Sequence, residues 1–143
     1  MRRWFVLSAF LIVFGAFWGC ASESLRAYQW HNRIVLVFAD SEHDPQLRQQ
    51  KDNMEEDPSG LRERDLTVIA IIGQAKPRFW RGEIRHLDNR TLRNEYGVAL
   101  GTGFALRLIG KDGGTKWRSS KPVPLENIYG VIDAMPMRRA GEH

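Results

Sequence analysis

The sequence predicts an α/β domain with a central mixed sheet flanked by helices. Residues 34–39 and 66–72 are apolar runs without alternation, which is typical of strands that are buried on both faces. A polar helical segment separates the two runs, so we expect a parallel pair joined by a right-handed crossover. Residues 104–118 have the pattern of a hairpin, which would add antiparallel strands to the same sheet.

The first helix is predicted over residues 45–57. Asp44 is an N-cap acceptor, and Pro45 takes the first helical position, where its missing N–H costs nothing. Pro58 and Gly60 are expected to end this helix.

The middle of the chain is harder to assign. Residues 74–87 contain Pro77 and Gly82, so we expect a loop there. Asp88 is predicted to cap a short helix that ends at Gly97.

The last third contains the hairpin and a final helix. Strands are predicted at residues 104–109 and 115–118, with a tight turn at 111–114. The last helix is predicted over residues 124–135 and is expected to end at Pro136. The resulting order, β-α-β-α-β-β-α, is that of the thioredoxin fold.

The first 21 residues have the layout of a secretory signal. Arg2 and Arg3 form a basic head, residues 4–18 are an uncharged apolar run, and small residues follow. The run is short for a membrane span, although an uncleaved anchor stays open as an alternative. The chain would then divide into a signal at 1–21, a linker at 22–29, a domain at 30–139 and a tail at 140–143.

Cys20 is the only cysteine, and two fates are open for it. The stretch FWGC at residues 17–20 resembles a bacterial lipoprotein cleavage box, which would make Cys20 the lipidated first residue after a signal of residues 1–19. Cleavage after Ala21 would instead remove Cys20. Either way we expect an exported domain without a free thiol or an intrachain disulfide, in the periplasm or tethered to a membrane that faces it.

The charge of the exported domain is nearly balanced. Loss of Arg2 and Arg3 with the signal leaves 19 basic and 17 acidic residues, so the net charge falls from +4 to +2. This small excess argues against a dedicated nucleic-acid-binding protein.

Four stretches resemble a known family. They are WHNRIVLVFA, LRERDLTVIAI, GFALRLIGKDGGTKWRS and IYGVIDAMPMRR. They are similar to short exported bacterial domains, domain of unknown function 4174, which are grouped with thioredoxin-like folds. The resemblance spans residues 30–139 and implies the fold, but no established activity. Its motif residues are Trp30, Arg64, Asp65, Lys111, Asp112, Gly113, Gly114, Asp133, Met135, Pro136 and Arg138.

The stretch FADSEHDP, residues 38–45, follows the first strand. A thioredoxin has a Cys-x-x-Cys pair here, and the helix N-terminus stabilises its reactive thiolate. Glu42 and Pro45 stand at those positions, and Gly101-Thr102-Gly103 stands where a cis-proline is usual. The domain is therefore predicted not to be a thiol-disulfide oxidoreductase.

Ser41, Glu42, His43 and Asp44 form a candidate ligand site. These side chains include a nucleophile, a base and metal ligands, but adjacent residues at a strand end point in different directions. We expect Asp44 to cap the helix and the other three to solvate a turn. A weak metal or ligand site, or hydrolytic catalysis, is the alternative.

A second candidate is a basic segment at residues 76–93. At its centre, Arg78, Phe79, Trp80 and Arg81 form a candidate binding loop, because cations around aromatic rings suit an anionic surface. The alternative is that Phe79 and Trp80 pack into the core.

Asp133 is placed unfavourably at the end of the last helix, where the helix dipole disfavours an anion. We therefore expect a salt bridge to Arg138, Arg139 or Arg64.

Together these features predict an exported, non-catalytic binding module of the cell envelope, without a cofactor or metal. The expected partner is an envelope protein, or an anionic polymer or lipid surface, and not nucleic acid. The membrane would be met only through the N-terminal signal or lipid anchor. The competing hypothesis is an enzyme or a metal- or ligand-binding domain that uses residues 41–44.

Overall fold

The two unalternating apolar runs form adjacent parallel strands at the centre of a five-stranded mixed sheet. The computed structural model describes residues 23–83 and 85–141, so the predicted signal and Cys20 lie outside the described residues. The strands are β1 (Arg33–Ala39), β2 (Leu66–Ile72), β3 (Arg78–Arg81), β4 (Ala105–Ile109) and β5 (Thr115–Ser119). The helices are α1 (Pro45–Glu55), α2 (Pro58–Glu63), α3 (Asn89–Tyr96), α4 (Leu125–Asp133) and α5 (Pro136–Arg139).

The strand order is β3-β2-β1-β4-β5. All seven residues of β1 and all seven of β2 are buried, which explains why neither strand alternates. The predicted hairpin of β4 and β5 is antiparallel, and β4 also pairs antiparallel with β1. The predicted α/β class with a central mixed sheet is confirmed.

The sheet has a core on each face. On one face α1, α2 and α4 cover the sheet through Leu47, Met54, Leu61 and Ile128. On the other face, α3 and a 3-10 helix at Glu23–Tyr28 contribute Leu92, Leu25 and Tyr28. Residues 23–28, predicted to belong to a linker, therefore pack on the domain.

The predicted loop over residues 74–87 is wrong in its middle, because Arg78–Arg81 forms β3 and pairs antiparallel with β2. Pro77 precedes the strand and Gly82, with φ of 99°, follows it. The two breakers thus bound a short edge strand, where a proline just outside the ladder removes no hydrogen bond.

Two prolines begin helices that they were expected to end. α1 stops at Glu55, and Asp57 accepts a hydrogen bond from the Gly60 N–H at 2.9 Å to cap α2, with Pro58 at its start. Likewise α4 stops at Asp133 and Pro136 begins α5. In both places proline suits the first helical turn, because the N–H there has no partner within the helix.

Within the described part of the chain, no helix has the length and hydropathy that a membrane crossing requires.

A buried glutamine joins α1 to the start of α4. The Gln50 side chain accepts a hydrogen bond from the Val123 N–H at 2.7 Å and donates to the Val123 carbonyl at 3.1 Å. The same carbonyl also accepts from Asn53 at 3.1 Å, so only the Val123 N–H depends on Gln50 alone.

We predict that Gln50→Leu lowers the free energy of unfolding by about 1–3 kcal/mol, because it leaves one buried N–H without an acceptor. Urea denaturation measures the change. Gln49→Leu, at an exposed position of the same helix, is the control and should change stability by less than about 0.5 kcal/mol. Equal effects of the two substitutions would contradict the prediction.

Candidate functional site

The four residues of the candidate ligand site follow β1, and most of their polar groups bind neighbouring residues. Asp44 accepts a hydrogen bond from the Gln46 N–H at 2.8 Å and caps α1, as predicted. Glu42 forms an ion pair with Arg78. The Ser41 hydroxyl oxygen accepts a hydrogen bond from the His43 backbone N–H at 3.2 Å. In the part of the chain that the structure describes, Ser41 and the His43 ring form no nucleophile–base hydrogen bond.

Asp40 holds a glycine-rich loop against the end of β1. Its carboxylate accepts hydrogen bonds from the N–H groups of Gly101 at 2.9 Å and Gly103 at 2.8 Å. Both glycines have φ near 85°, at 86° and 84°, a conformation that favours glycine. This loop stands where a cis-proline was sought, and residues 23–83 and 85–141 contain no cis peptide bond.

A buried arginine lies behind the same end of the sheet. Arg93 is 5% exposed and donates to the carbonyls of Ala39 at 2.9 Å, Ile71 at 3.3 Å and Val98 at 3.2 Å. Burial lowers its pKa, and the nearby Asp40 carboxylate opposes that shift. Arg93 therefore fixes the ends of both central strands and is not part of an exposed basic surface.

The candidate binding loop is an edge strand, and its four residues make different kinds of contact. Arg78 pairs with Glu42, so the structure brings the two predicted sites into contact. Phe79 and Trp80 are half-buried and pack against the cores on opposite faces of the sheet. The backbone of Arg81 pairs with β2, but its side chain makes no hydrogen bond or ion pair with any residue that the structure describes.

Several family-motif residues meet near the opposite end of the sheet. Arg64 donates two hydrogen bonds to Asp133, at 3.1 and 2.8 Å, and its guanidinium lies 4.0 Å from the centre of the Tyr129 ring. Arg138 lies 3.5 Å from Asp133 and also pairs with Glu63. Asp133 thus has the arginine partners that its position predicted. The hydrogen bond from Arg64 lowers the pKa of Asp133.

A second ion pair holds the hairpin turn against the start of the central strands. The Lys111 ammonium lies 2.9 Å from the Asp65 carboxylate, and the Lys111 carbonyl accepts a hydrogen bond from the Trp30 N–H at 2.6 Å. Asp65 and Trp30 both have positive φ, at 50° and 69°, and the Trp30 side chain is 60% exposed.

The remaining motif residues have structural contacts. In the turn, Asp112 accepts a hydrogen bond from the Gly114 N–H at 3.0 Å, and Gly113 has φ of 81°. Met135 is half-buried against the core, and Pro136 begins α5.

A depression of about 540 Å³ lies where β2 extends past β3, and we call it the edge pocket. β3 pairs only with residues 68–70 of β2, so residues 66–67 have no partner strand on that side. The lining includes Asn32, Arg62, Asp65, Thr67, Trp80 and Arg81. The pocket follows the open edge of the sheet and reaches both of its faces, since Thr67 and Arg81 lie on opposite faces.

The sequence had pointed to Trp80 and Arg81 but not to Thr67 or Arg62. Thr67 is the only polar residue in the apolar run of β2, which is the one signal that could have drawn attention to it. Arg62 gives no signal in the sequence, because Pro58 and Gly60 predict the end of a helix where α2 begins.

Among residues 23–83 and 85–141, no three histidine, cysteine or acidic side chains gather in a way that could hold a metal ion.

Comparison with known families decides the relationship that the motifs suggested. A family model described as Domain of unknown function (DUF4174) matches residues 24–141. The chain belongs to this family. The predicted resemblance is thereby confirmed, and the match includes residues 24–29, ahead of the predicted domain start.

Two solved structures are similar to this family member in fold. A reduced 2-Cys peroxiredoxin from Plasmodium vivax is 15% identical, with a TM-score of 0.58, and the match covers 81% of this chain and 84% of that chain. Thioredoxin peroxidase I from Plasmodium yoelii is 14% identical, with a TM-score of 0.55 over 83% and 82% of the two chains. These likenesses show a thioredoxin-like fold and nothing further. A comparison with curated proteins finds no significant match.

We predict that Asp133→Asn makes the stability less dependent on pH. A carboxylate whose pKa is lowered in the folded state stabilises the fold above its unfolded pKa of about 3.9. That stabilisation is lost as the pH falls through the lower folded pKa.

The wild type should therefore exceed Asp133→Asn in unfolding free energy by a constant amount between pH 7 and pH 5, and the difference should shrink below about pH 4. Urea denaturation at pH 7, 5 and 3 measures it. Asp52→Asn, at an exposed position of α1, is the control and should show little difference at any pH. A wild-type advantage at pH 3 as large as that at pH 7 would contradict the role of Arg64.

Proposed function

We propose that this chain is an exported, non-catalytic binding module of the bacterial cell envelope. The observation that supports it best is the end of β1, where a thioredoxin holds its reactive cysteines. Here Asp44 caps α1, Glu42 pairs with Arg78, and Asp40 holds the glycine-rich loop. Most of the polar groups at this end form contacts within the fold, so we place the binding surface at the β3 edge instead.

The cysteine content supports the same proposal. The similar solved structures are named as a 2-Cys peroxiredoxin and a thioredoxin peroxidase. Thiol chemistry of that kind requires a thiolate, and the single cysteine here, Cys20, lies in the predicted signal. Removal or lipidation of Cys20 would leave a thioredoxin-like fold that has no thiol.

The proposed partner is an anionic component of the envelope, either a protein or a polymer or lipid surface. Support comes from Arg81, which lies on the edge strand beside the half-buried Trp80 and has no carboxylate partner among the described residues. The side chain of Arg62, on the neighbouring helix α2, makes a single long hydrogen bond within the described part of the chain, to Ser59 at 3.4 Å. Cations beside an aromatic ring suit such a partner.

Export is tested on protein recovered from its native host. We expect it in the envelope or periplasmic fraction, with an N-terminus at Ser22 or an acylated Cys20, as read by intact mass. A chain that still begins at Met1 and stays in the cytoplasmic fraction would contradict export.

Binding and the absence of catalysis are tested on the mature sequence that begins at Ser22, because an acylated Cys20 would attach the protein to envelopes by itself. We expect it to sediment with isolated envelopes and to consume hydrogen peroxide, in the presence of a dithiol, no faster than buffer does. Arg81→Gln should reduce the bound fraction, whereas His43→Ala and Arg48→Gln should leave it unchanged. Arg48→Gln is the control for charge, because Arg48 is exposed on α1 and its substitution removes one positive charge, as Arg81→Gln does. Peroxide turnover, or loss of binding only in His43→Ala, would favour the competing hypothesis of a site at residues 41–44.

A further inference from the structure

We propose that the edge pocket binds a small organic molecule that carries an oxyanion, such as a phosphate or a carboxylate. This inference rests on the proposed binding function and names a ligand class for it. The pocket volume of about 540 Å³ lies within the range of small-molecule sites, about 300–1,000 Å³.

The charge of the lining favours an anion. Arg62 and Arg81 both border the pocket, and neither forms an ion pair with a described residue. Among the described residues that line the pocket, Asp65 is the one acidic residue, and it forms an ion pair with Lys111 at 2.9 Å. Guanidinium groups bind phosphate and carboxylate through paired, charge-assisted hydrogen bonds.

The pocket also offers a surface for the organic part of the ligand. Trp80 contributes to the lining and is only half-buried, so it adds apolar surface beside the two arginines. A planar ring is the kind of wall on which an aromatic or aliphatic group packs in ligand sites.

A buried hydroxyl without a partner also points to a ligand, and this observation is independent of the charge of the lining. Thr67 is 1% exposed, and its Oγ1 has no hydrogen-bond partner among the described residues. Burying a hydroxyl without a partner destabilises a protein, so such a group calls for an explanation. A hydrogen bond to a bound ligand supplies one.

Gly82 lies directly against the Thr67 side chain. A Cβ atom at Gly82 would lie 2.4 Å from Thr67 Oγ1, so no larger residue fits there. Gly82 is exposed and directly follows the last residue of β3. In the proposed complex Gly82 shifts away from Thr67, and the ligand then spans the sheet edge from Arg81 to Thr67.

The experiment measures binding of phenyl phosphate and benzoate to the processed protein by titration calorimetry, with benzyl alcohol as the neutral control. We expect one or both oxyanions to bind and the alcohol not to bind, and the comparison identifies the preferred anionic group. Arg81→Gln should weaken binding about tenfold or more, as expected for loss of a charge-assisted contact.

Thr67→Val and Arg48→Gln complete the design. Thr67→Val keeps the side-chain shape, so it should leave the melting temperature unchanged or raise it while weakening oxyanion binding. Arg48→Gln removes the same charge away from the pocket and should have no effect. Equal binding of the alcohol, equal weakening by Arg48→Gln, or unchanged affinity in Arg81→Gln or Thr67→Val would overturn the proposal.

Failure here is distinguishable from failure of the proposed function. If neither oxyanion binds but the protein still sediments with envelopes, the ligand class is wrong and the binding module stands. If the protein binds neither the probes nor the envelopes, both proposals are wrong.

Discussion

The buried guanidinium of Arg93 determines how this domain is organised at the carboxyl end of its central strands. It reaches from α3 to three carbonyls, at the ends of β1 and β2 and at Val98 in the loop that enters β4. A fourth contact, to the Asn89 amide oxygen at 3.1 Å, fixes its orientation. A buried charge is tolerated only when its hydrogen-bonding groups find partners, and backbone carbonyls supply most of them here. The strand ends, α3 and the loop that enters β4 are therefore held in one arrangement.

This arrangement has a consequence for function. In a thioredoxin the same end of the sheet carries the reactive cysteines, and its backbone groups and helix N-terminus support a thiolate. In this chain Asp40 and Asp44 use the neighbouring N–H groups for a loop contact and a helix cap. The β3 edge differs, because the Arg81 side chain and the Thr67 hydroxyl there have no hydrogen-bond partner among the described residues.

Local patterns in the sequence were sufficient to predict those features that depend mainly on the residues next to one another in the chain. The central strands follow from apolar runs, the start of α1 from Asp44 and Pro45, and the partner of Asp133 from its unfavourable place on a helix. Fold class and family followed from these elements and from the motif stretches.

What the sequence could not predict depends on contacts between distant residues. RFWR at residues 78–81 has charged ends and flanking breakers, and it is a strand only because the edge of β2 accepts it. In the sequence, Arg93 is one of several cations in a basic segment. Only the packing of α3 against the sheet places its side chain in the core. The edge pocket exists because β2 is longer than β3, and no sequence pattern records that mismatch.

We propose that ligands bind at the β3 edge and not at the N-terminus of α1. Amide chemical shifts of the processed, isotope-labelled protein, recorded during titration with phenyl phosphate, test it most directly. We predict shifts at residues 65–67 and 80–82, with residues 40–46 unchanged. Shifts confined to residues 40–46 would place the site at the start of α1 and contradict the account.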